Sequence, residues 1–428
     1  MHLPRAHFAC RAGFVLLCLL PTAAVAGWIV QRSLPGFVLS QKDEWEQGLS
    51  RQLGLRVSLE RLEYPRPDMA ALSNVSFADP ETGATVASVA RLEVLSTEQG
   101  WKLVGHQAVI ETAHLPMLRT QFEQRWLRRG KQEWSSRSQC EIILRELTLK
   151  GSNQSLTLVD VAGTWNPAET GPKCELTFRL PETGSDQPRG RWFVQRNRQT
   201  NPPTTHWVLE TGATPLPCAL AAPGWPQLHQ LGHAAEFTGK LDVVQSGEQI
   251  LGTITDGVIQ NLNLNALVTE RSPYLLSGYG LARIEAEFTQ QKISAARGTL
   301  QAQNGQVDRA LLAALSEQLQ LTAPLAGTSG LEHEPLSYRY LSCGFDLRKG
   351  TLRLTGYADS LRPNVVINSA GGALLEVPPQ HHTPQQGLLT VFRNESHAAT
   401  NIARGHTPTR LAPSHDPQAP PVRQPNLR

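Results

Sequence analysis

Gly54-Leu55-Arg56-Val57-Ser58-Leu59-Glu60 decides how the chain is read, because Leu55, Val57 and Leu59 alternate with Arg56, Ser58 and Glu60. A side-chain period of two belongs to a strand with one buried and one wet face. Just upstream the period differs. Trp45, Leu49 and Leu53 recur every fourth residue and Gly54 follows where a left-handed cap is wanted, which predicts a helix over 42–53. Downstream, Leu72 to Phe77 and Val86 to Val94 are strand-like runs joined by the turn Asp79-Pro80-Glu81-Thr82-Gly83. The region reads as a meander.

The alternation persists along the chain. Strands are predicted over 142–149, 156–158, 176–180 and 192–194, separated by Gly, Asn, Pro and Asp turns. Prolines then cluster from Pro202 to Pro226, and a boundary between units is expected there. Past it, strands are predicted over 237–244, 252–259, 262–268, 282–288 and 298–303, with hairpin-like segments at 345–352 and 365–375. Two more helices are expected. One, over 114–131, has Leu115, Leu118, Phe122 and Trp126 on one face and Arg119, Arg125, Arg128 and Arg129 off it. It reads as a plug on a sheet, with a helix lying on an anionic membrane as the alternative. The other, over 307–321, carries Val307, Leu311, Leu315 and Leu319 on one stripe.

Composition agrees with this pattern: among 428 residues, 40% are hydrophobic and 18% charged, with 34 Gly and 30 Pro, which suits strands and turns rather than a helical bundle. The expected fold is mainly β with a few short helices. It is either an elongated, curved antiparallel sheet or two β-rich units over 31–210 and 236–377, joined by a Pro-rich connection over 211–235.

The two ends read differently from the middle. Arg5 and Arg11 lie in a basic leader over 1–13 and precede an apolar run from Phe14 to Val30, near the ~17-residue lower limit for a bilayer span, and Ala24-Val25-Ala26 has the form of a cleavage site. The segment is a signal or an anchor, and the continuation through Trp28-Ile29-Val30 favours an anchor. The two arginines then place the leader in the cytoplasm and the bulk of the chain in the periplasm or otherwise outside, on a single-pass inner-membrane topology. From Pro378 to Arg428 the chain turns rich in Pro, Gln, His and Arg. This tail, over 378–428, is expected to be disordered and dispensable for folding.

No catalytic signature stands out: G-x-S-x-G, H-E-x-x-H and the Walker loop are all missing from the sequence, so an enzyme is not expected and no cofactor is implied. A net charge of +3 gives no reason to expect nucleic acid. His381-His382 lacks a carboxylate or thiol at ligand spacing, which argues against a metal. Cys140, Cys174, Cys218 and Cys343 remain beyond the leader, and spacing does not choose between free thiols and disulfides.

The segment Glu46-Gln47-Gly48-Leu49-Ser50-Arg51-Gln52-Leu53-Gly54-Leu55-Arg56-Val57-Ser58-Leu59, following an N-terminal apolar run, resembles the start of the AsmA-like family of envelope proteins. The hairpin formed by Ala71 to Pro80 and Val86 to Val94 is similar to that family's next unit, and Leu341 to Leu354 resembles its recurring strand-Gly-strand repeat. The resemblance implies a membrane-anchored envelope protein whose sheet contacts lipid or aids envelope assembly. Membrane lipids are then the expected partners, with other envelope proteins as further candidates. The alternative is a structural or adhesion-type β protein that binds other proteins. Under the first reading Leu55, Val57, Leu59, Leu72, Phe77, Leu262, Leu264, Ile284 and Phe288 are the candidate lipid-facing residues. A closed sandwich would bury that face, whereas an open sheet would leave it for acyl chains.

Overall fold

The computed structural model describes residues 35–128, 139–184, 186–270, 272–290, 292–324, 335–379 and 381–393. The apolar run Phe14–Val30 and the tail beyond residue 393 lie outside the described residues. Among the described residues no helix is long and apolar enough to cross a membrane.

The chain opens with helix α1 (Pro35–Leu53), which ends as its sequence requires: Gly54 takes φ +72°, and its N–H donates to the Ser50 carbonyl at 2.9 Å. Strands β1 (Arg56–Ser58), β2 (Arg61–Arg66), β3 (Met69–Ala78), β4 (Thr85–Thr97) and β5 (Gly100–Glu111) follow as antiparallel neighbours, with β1 and β2 sharing one edge of β3. A crossover then carries α2 (Leu115–Phe122) and a single π-type turn, Glu123–Leu127. It leads to β6 (Gln139–Lys150), which runs parallel to β5. A parallel neighbour needs such a long connection, since a hairpin can only reverse the chain.

Beyond it come β7 (Ser155–Asn166), β8 (Lys173–Arg179), β9 (Gly190–Asn197) and β10 (Thr204–Glu210), all antiparallel. The short β11 (Leu216–Pro217) and α3 (Cys218–Ala221) precede β12 (Glu236–Ser246), β13 (Gln249–Asn263), β14 (Tyr279–Thr289) and β15 (Lys292–Asp308). Helix α4 (Arg309–Leu319) leads to β16 (Pro335–Arg348), β17 (Thr351–Gly356), β18 (Val365–Ser369) and β19 (Gly372–Glu376). The two-residue β20 (Thr383–Pro384) pairs with β17, and α5 (Gln385–Arg393) ends the described chain. All twenty strands belong to one elongated, mixed, unclosed sheet.

Three expectations change here. The proline cluster does not divide the chain, because all seven residues of β10 pair with β12 on one side and β9 on the other, carrying the ladder straight past it. Residues 211–235 instead fold back as a cap, with Cys218, Leu220, Ala222 and Ala235 buried. The strand expected over 262–268 stops at Asn263, whose Oδ1 accepts the backbone N–H groups of Asn265 and Ala266 at 3.0 and 3.3 Å and turns the chain into a helical bend. The disorder expected from Pro378 also fails over 381–393. His381 is buried; its Nε2 donates to the Leu319 carbonyl at 2.6 Å, and its Nδ1 accepts the Leu354 N–H at 3.4 Å.

Curvature has a local cause. Asn74, Gln107, Asp160, Asp256, Asn261 and Asn304 sit inside strands at φ near +50°, and the register slips at 159/162, 254/257 and 259/262. Such bulges bend a strand and increase its twist, and Asn and Asp tolerate the left-handed region better than most residues. At Gly239 (φ +140°) a Cβ would stand 2.8 Å from the Gly257 Cα, so the bulge between β12 and β13 demands glycine.

Candidate functional site: an apolar face with an open centre

The pairing register shows what each face of the sheet carries. Starting at Ala70, the residue opposite on each next strand is Val94, Leu103, Ile142, Gly163, Leu176, Trp192, Leu209, Leu241, Ile254, Ala286, Ala296, Leu347 and Leu352. No polar side chain interrupts this line. With strands ~4.8 Å apart it runs ~60 Å, about twice the hydrocarbon thickness of a bilayer. Two residues along each strand, and three on β15 where the register slips, a second row, from Trp101 through Cys140, Trp165, Cys174, Val194, Trp207, Val243, Gly252 and Phe288 to Ile293, is also apolar.

The other face is polar. Between the two apolar rows, on that face, stand Lys102, Glu141, Thr164, Glu175, Asp242, Thr253 and Glu287, with Phe193 and Val208 the apolar members. Ion pairs lie along it, such as Lys102–Glu141 at 3.0 Å and Arg191–Glu175 at 2.8 Å, with a His206–Asp242 hydrogen bond at 2.7 Å. Exposed pairs of this kind add about 0–1 kcal/mol each, so they define a wet surface more than they stabilise it. A hollow of about 640 Å³ on that side is lined by Arg283, Arg297 and Arg353 together with Asp256, Glu285 and Asp346, an even mixture of signs.

Helices cover parts of the apolar face. Trp45, Leu49 and Leu53 of α1 pack on Val57, Leu59, Leu62, Leu72 and Val75. The crossover places Phe122, Trp126 and Leu127 on Trp165, Cys174 and Val194, with Phe122 5.9 Å from Trp192 and Trp126 5.2 Å from Trp165, centroid to centroid. At the far end Leu311, Leu312 and Leu319 of α4, with Val391 of α5, close over Leu341, Leu352 and Ile367. Asp308 caps α4 by accepting the Leu311 N–H at 2.8 Å, and its other oxygen accepts the Leu275 N–H at 3.0 Å.

The centre is different. Every one of the eleven residues of β12 is half-buried, so neither face of that strand is sealed. Leu209, Leu241, Val243, Ile254 and Phe288 together form an apolar span ~15 Å long across β10, β12, β13 and β14, flanked on one side by the Leu216–Leu220 cluster, on which Leu209 packs, and on the other by the C-terminal core, on which Ile254 packs. At its rim Ile293, the end of the second row, is 51% exposed.

The nine sequence candidates divide accordingly. Leu55, Val57, Leu59 and Leu72 are buried, the last three beneath α1, so they form core and offer nothing to a ligand; Phe77 is half-buried at the edge of the same cluster. Leu262 and Leu264 are buried in the C-terminal core, and Leu264 has left the sheet altogether in the bend after Asn263. Ile284 packs partly against that core, while Phe288 reaches the open span, lying across Gly252. Leu209, Leu241, Val243 and Ile254 escaped sequence reading, although Leu241-Asp242-Val243 shows the alternation that could have found them.

The four described cysteines are free. Cys140 and Cys174 flank Trp165 on strands to either side, ~10 Å apart and beyond disulfide reach. Burial pushes the Cys140, Cys218 and Cys343 thiols up to about 11 and Cys174 up to about 12, which leaves almost no thiolate at neutral pH. Peptide mass mapping after iodoacetamide at pH 8 is therefore expected to find all four unlabelled in the native protein and labelled after denaturation. Rapid native labelling of Cys174 would contradict the packing of the crossover. Among the described residues no group of His, Cys, Asp or Glu is arranged to hold a metal. No family model, curated protein or solved structure matches the chain.

Proposed function

We propose that the protein is a non-enzymatic, membrane-anchored envelope protein of the AsmA-like kind that holds acyl chains of lipid on the apolar face of its sheet. The observation that carries this is the line of fourteen apolar residues from Ala70 to Leu352, left half-buried along β12 among the described residues. Contiguous apolar surface of more than a few hundred Å² is rarely left bare on a soluble monomer, and here it faces away from the charged surface. A shallow, elongated apolar span suits a flexible hydrocarbon better than a rigid substrate. Lipid handling follows from that shape, and the helical layers at both ends make a local role more natural than a continuous bridge between membranes.

The test is native mass spectrometry of detergent-extracted protein, with circular dichroism as the control for folding. Wild type is expected to retain lipid. Leu241→Asp and Phe288→Asp are expected to stay folded and to lose it, because a half-buried site can hydrate the new carboxylate. Lipid-free wild type, or folded variants with undiminished lipid, would reject the reading.

A further inference from the structure

A cavity of about 310 Å³ opens at the rim of the uncovered span, lined by Arg128, Arg196, Gln245, Glu248 and the pair Pro202-Pro203. Its position follows from register. Arg196, Thr205, Gln245 and Ile250 form the next row outward from Val194, Trp207, Val243 and Gly252, so Arg196 stands on the apolar face, ~7 Å beyond the second apolar row. Thr205 is buried and its Oγ1 accepts from Arg196 Nη1 at 2.9 Å, which fixes the guanidinium at the edge of the span.

Three cations converge here. Arg128 follows the π-type turn of the crossover, Arg198 Nη2 donates to the Leu127 carbonyl at 3.4 Å, and both charges act on Arg196. Burial and these two neighbouring charges draw the Arg196 pKa below its ordinary value, and Glu123 is the carboxylate that opposes them. Glu123 is itself engaged with Arg119 at 3.4 Å and with Arg128 at 3.9 Å. Glu248 supplies one further negative charge on the cavity wall. Among the described residues that line the cavity two arginines face one glutamate, in contrast to the evenly mixed hollow on the other face.

A basic hollow adjoining an apolar span is the layout of a binding site for an anionic amphiphile. We propose that Arg128 and Arg196 seat the phosphate of an anionic acyl lipid whose chain runs inward along Val243, Leu241 and Phe288. This rests on the acyl-binding reading above and adds headgroup selection to it. Guanidinium groups suit the role because they form paired, charge-assisted hydrogen bonds to phosphate oxygens. Free inorganic phosphate presents the same chemistry, and the lipid is favoured because the cavity opens onto hydrocarbon-binding surface.

The experiment exposes the full chain in detergent to equal amounts of phosphatidylglycerol and phosphatidylcholine and measures bound lipid by native mass spectrometry. Wild type is expected to enrich phosphatidylglycerol, and Arg128→Gln with Arg196→Gln to cut that enrichment ~10-fold while total bound lipid holds, since the charge-assisted contacts are lost. If the double variant unfolds, Arg128→Gln alone, on an exposed side chain, is expected to lower the enrichment partially. Inorganic phosphate at millimolar concentration is the control ligand. Arginine-dependent thermal stabilisation by phosphate without phosphatidylglycerol enrichment would overturn the lipid assignment in favour of free phosphate. Lipid bound by wild type without headgroup preference would overturn this proposal alone, whereas no bound lipid at all would overturn the acyl-binding reading beneath it.

Discussion

Leu72→Asp is expected to unfold the N-terminal part of the sheet, with a loss of about 5 kcal/mol, because a carboxylate would enter a site with no water and no partner. Leu72 is 0% exposed, and its neighbours Val57, Leu62 and Val75 lie under Trp45, Leu49 and Leu53 of α1. Relief by local opening would require α1 to lift. That helix is fastened to the strands beneath it: Ser50 Oγ and Glu46 Oε1 accept the backbone N–H groups of Val57 and Leu59 at 2.9 Å each. The informative comparison is Leu241→Asp, a substitution of the same chemistry on the same face of the sheet at a half-buried position. Measured by urea denaturation, Leu72→Asp is expected to lose the transition of the N-terminal region and Leu241→Asp to keep most of the wild-type stability. Equal, large losses would mean that β12 is as sealed as the core under α1, and the open centre would not stand.

How much of this was visible in the sequence depended on whether one period or two elements controlled a residue. The alternation at Leu55 to Leu59 and the four-residue spacing of Trp45, Leu49 and Leu53 each depend on local chain geometry, and both elements are present as strand and helix. Which strand face would be covered was not legible, because burial of Leu72 depends on a helix some twenty residues away docking over it. The bulges were hidden for another reason. Asn74, Asp160 and Asp256 fit an alternating pattern as ordinary polar, outward residues, and nothing local marks them as left-handed. The same ambiguity affected the crossover: Phe122 and Trp126 lie on the expected face, but the π-type turn advances the helix and brings in Leu127, which is wholly buried and breaks the four-residue spacing. Proline content misled at 202–226, since prolines there cap the end of a continuous ladder instead of ending it. The candidate span at β10 to β14 emerges only from register across neighbouring strands, which one sequence does not contain.

Ending the chain at Val377 is expected to destabilise the C-terminal half of the sheet by roughly 3–6 kcal/mol, whereas ending it at Arg393 is expected to have no such effect. Composition alone argues otherwise, because His381-His382-Thr383-Pro384-Gln385-Gln386 has little to bury. What composition misses is that this segment closes a hydrogen-bonding gap at the end of α4. Thr383 Oγ1 donates to the Leu319 carbonyl at 3.1 Å alongside His381 Nε2, satisfying a helix-terminal acceptor that lies among buried side chains. Gln385 N–H donates to the Gly350 carbonyl at 2.8 Å, fastening the segment to the β16–β17 turn. These bonds bring α5 down so that Val391 is 1% exposed against Leu312 and Leu319, and Leu388 packs beside it. Removing the segment would leave a buried carbonyl without a partner and expose the apolar surface of α4, two costs that add. Calorimetry of the two truncated chains separates the contributions: a midpoint roughly 10 °C lower for the chain ending at Val377 is expected if the C-terminal half melts as a unit. Identical melting of both chains would show that α4 holds the far end of the apolar face without help from α5.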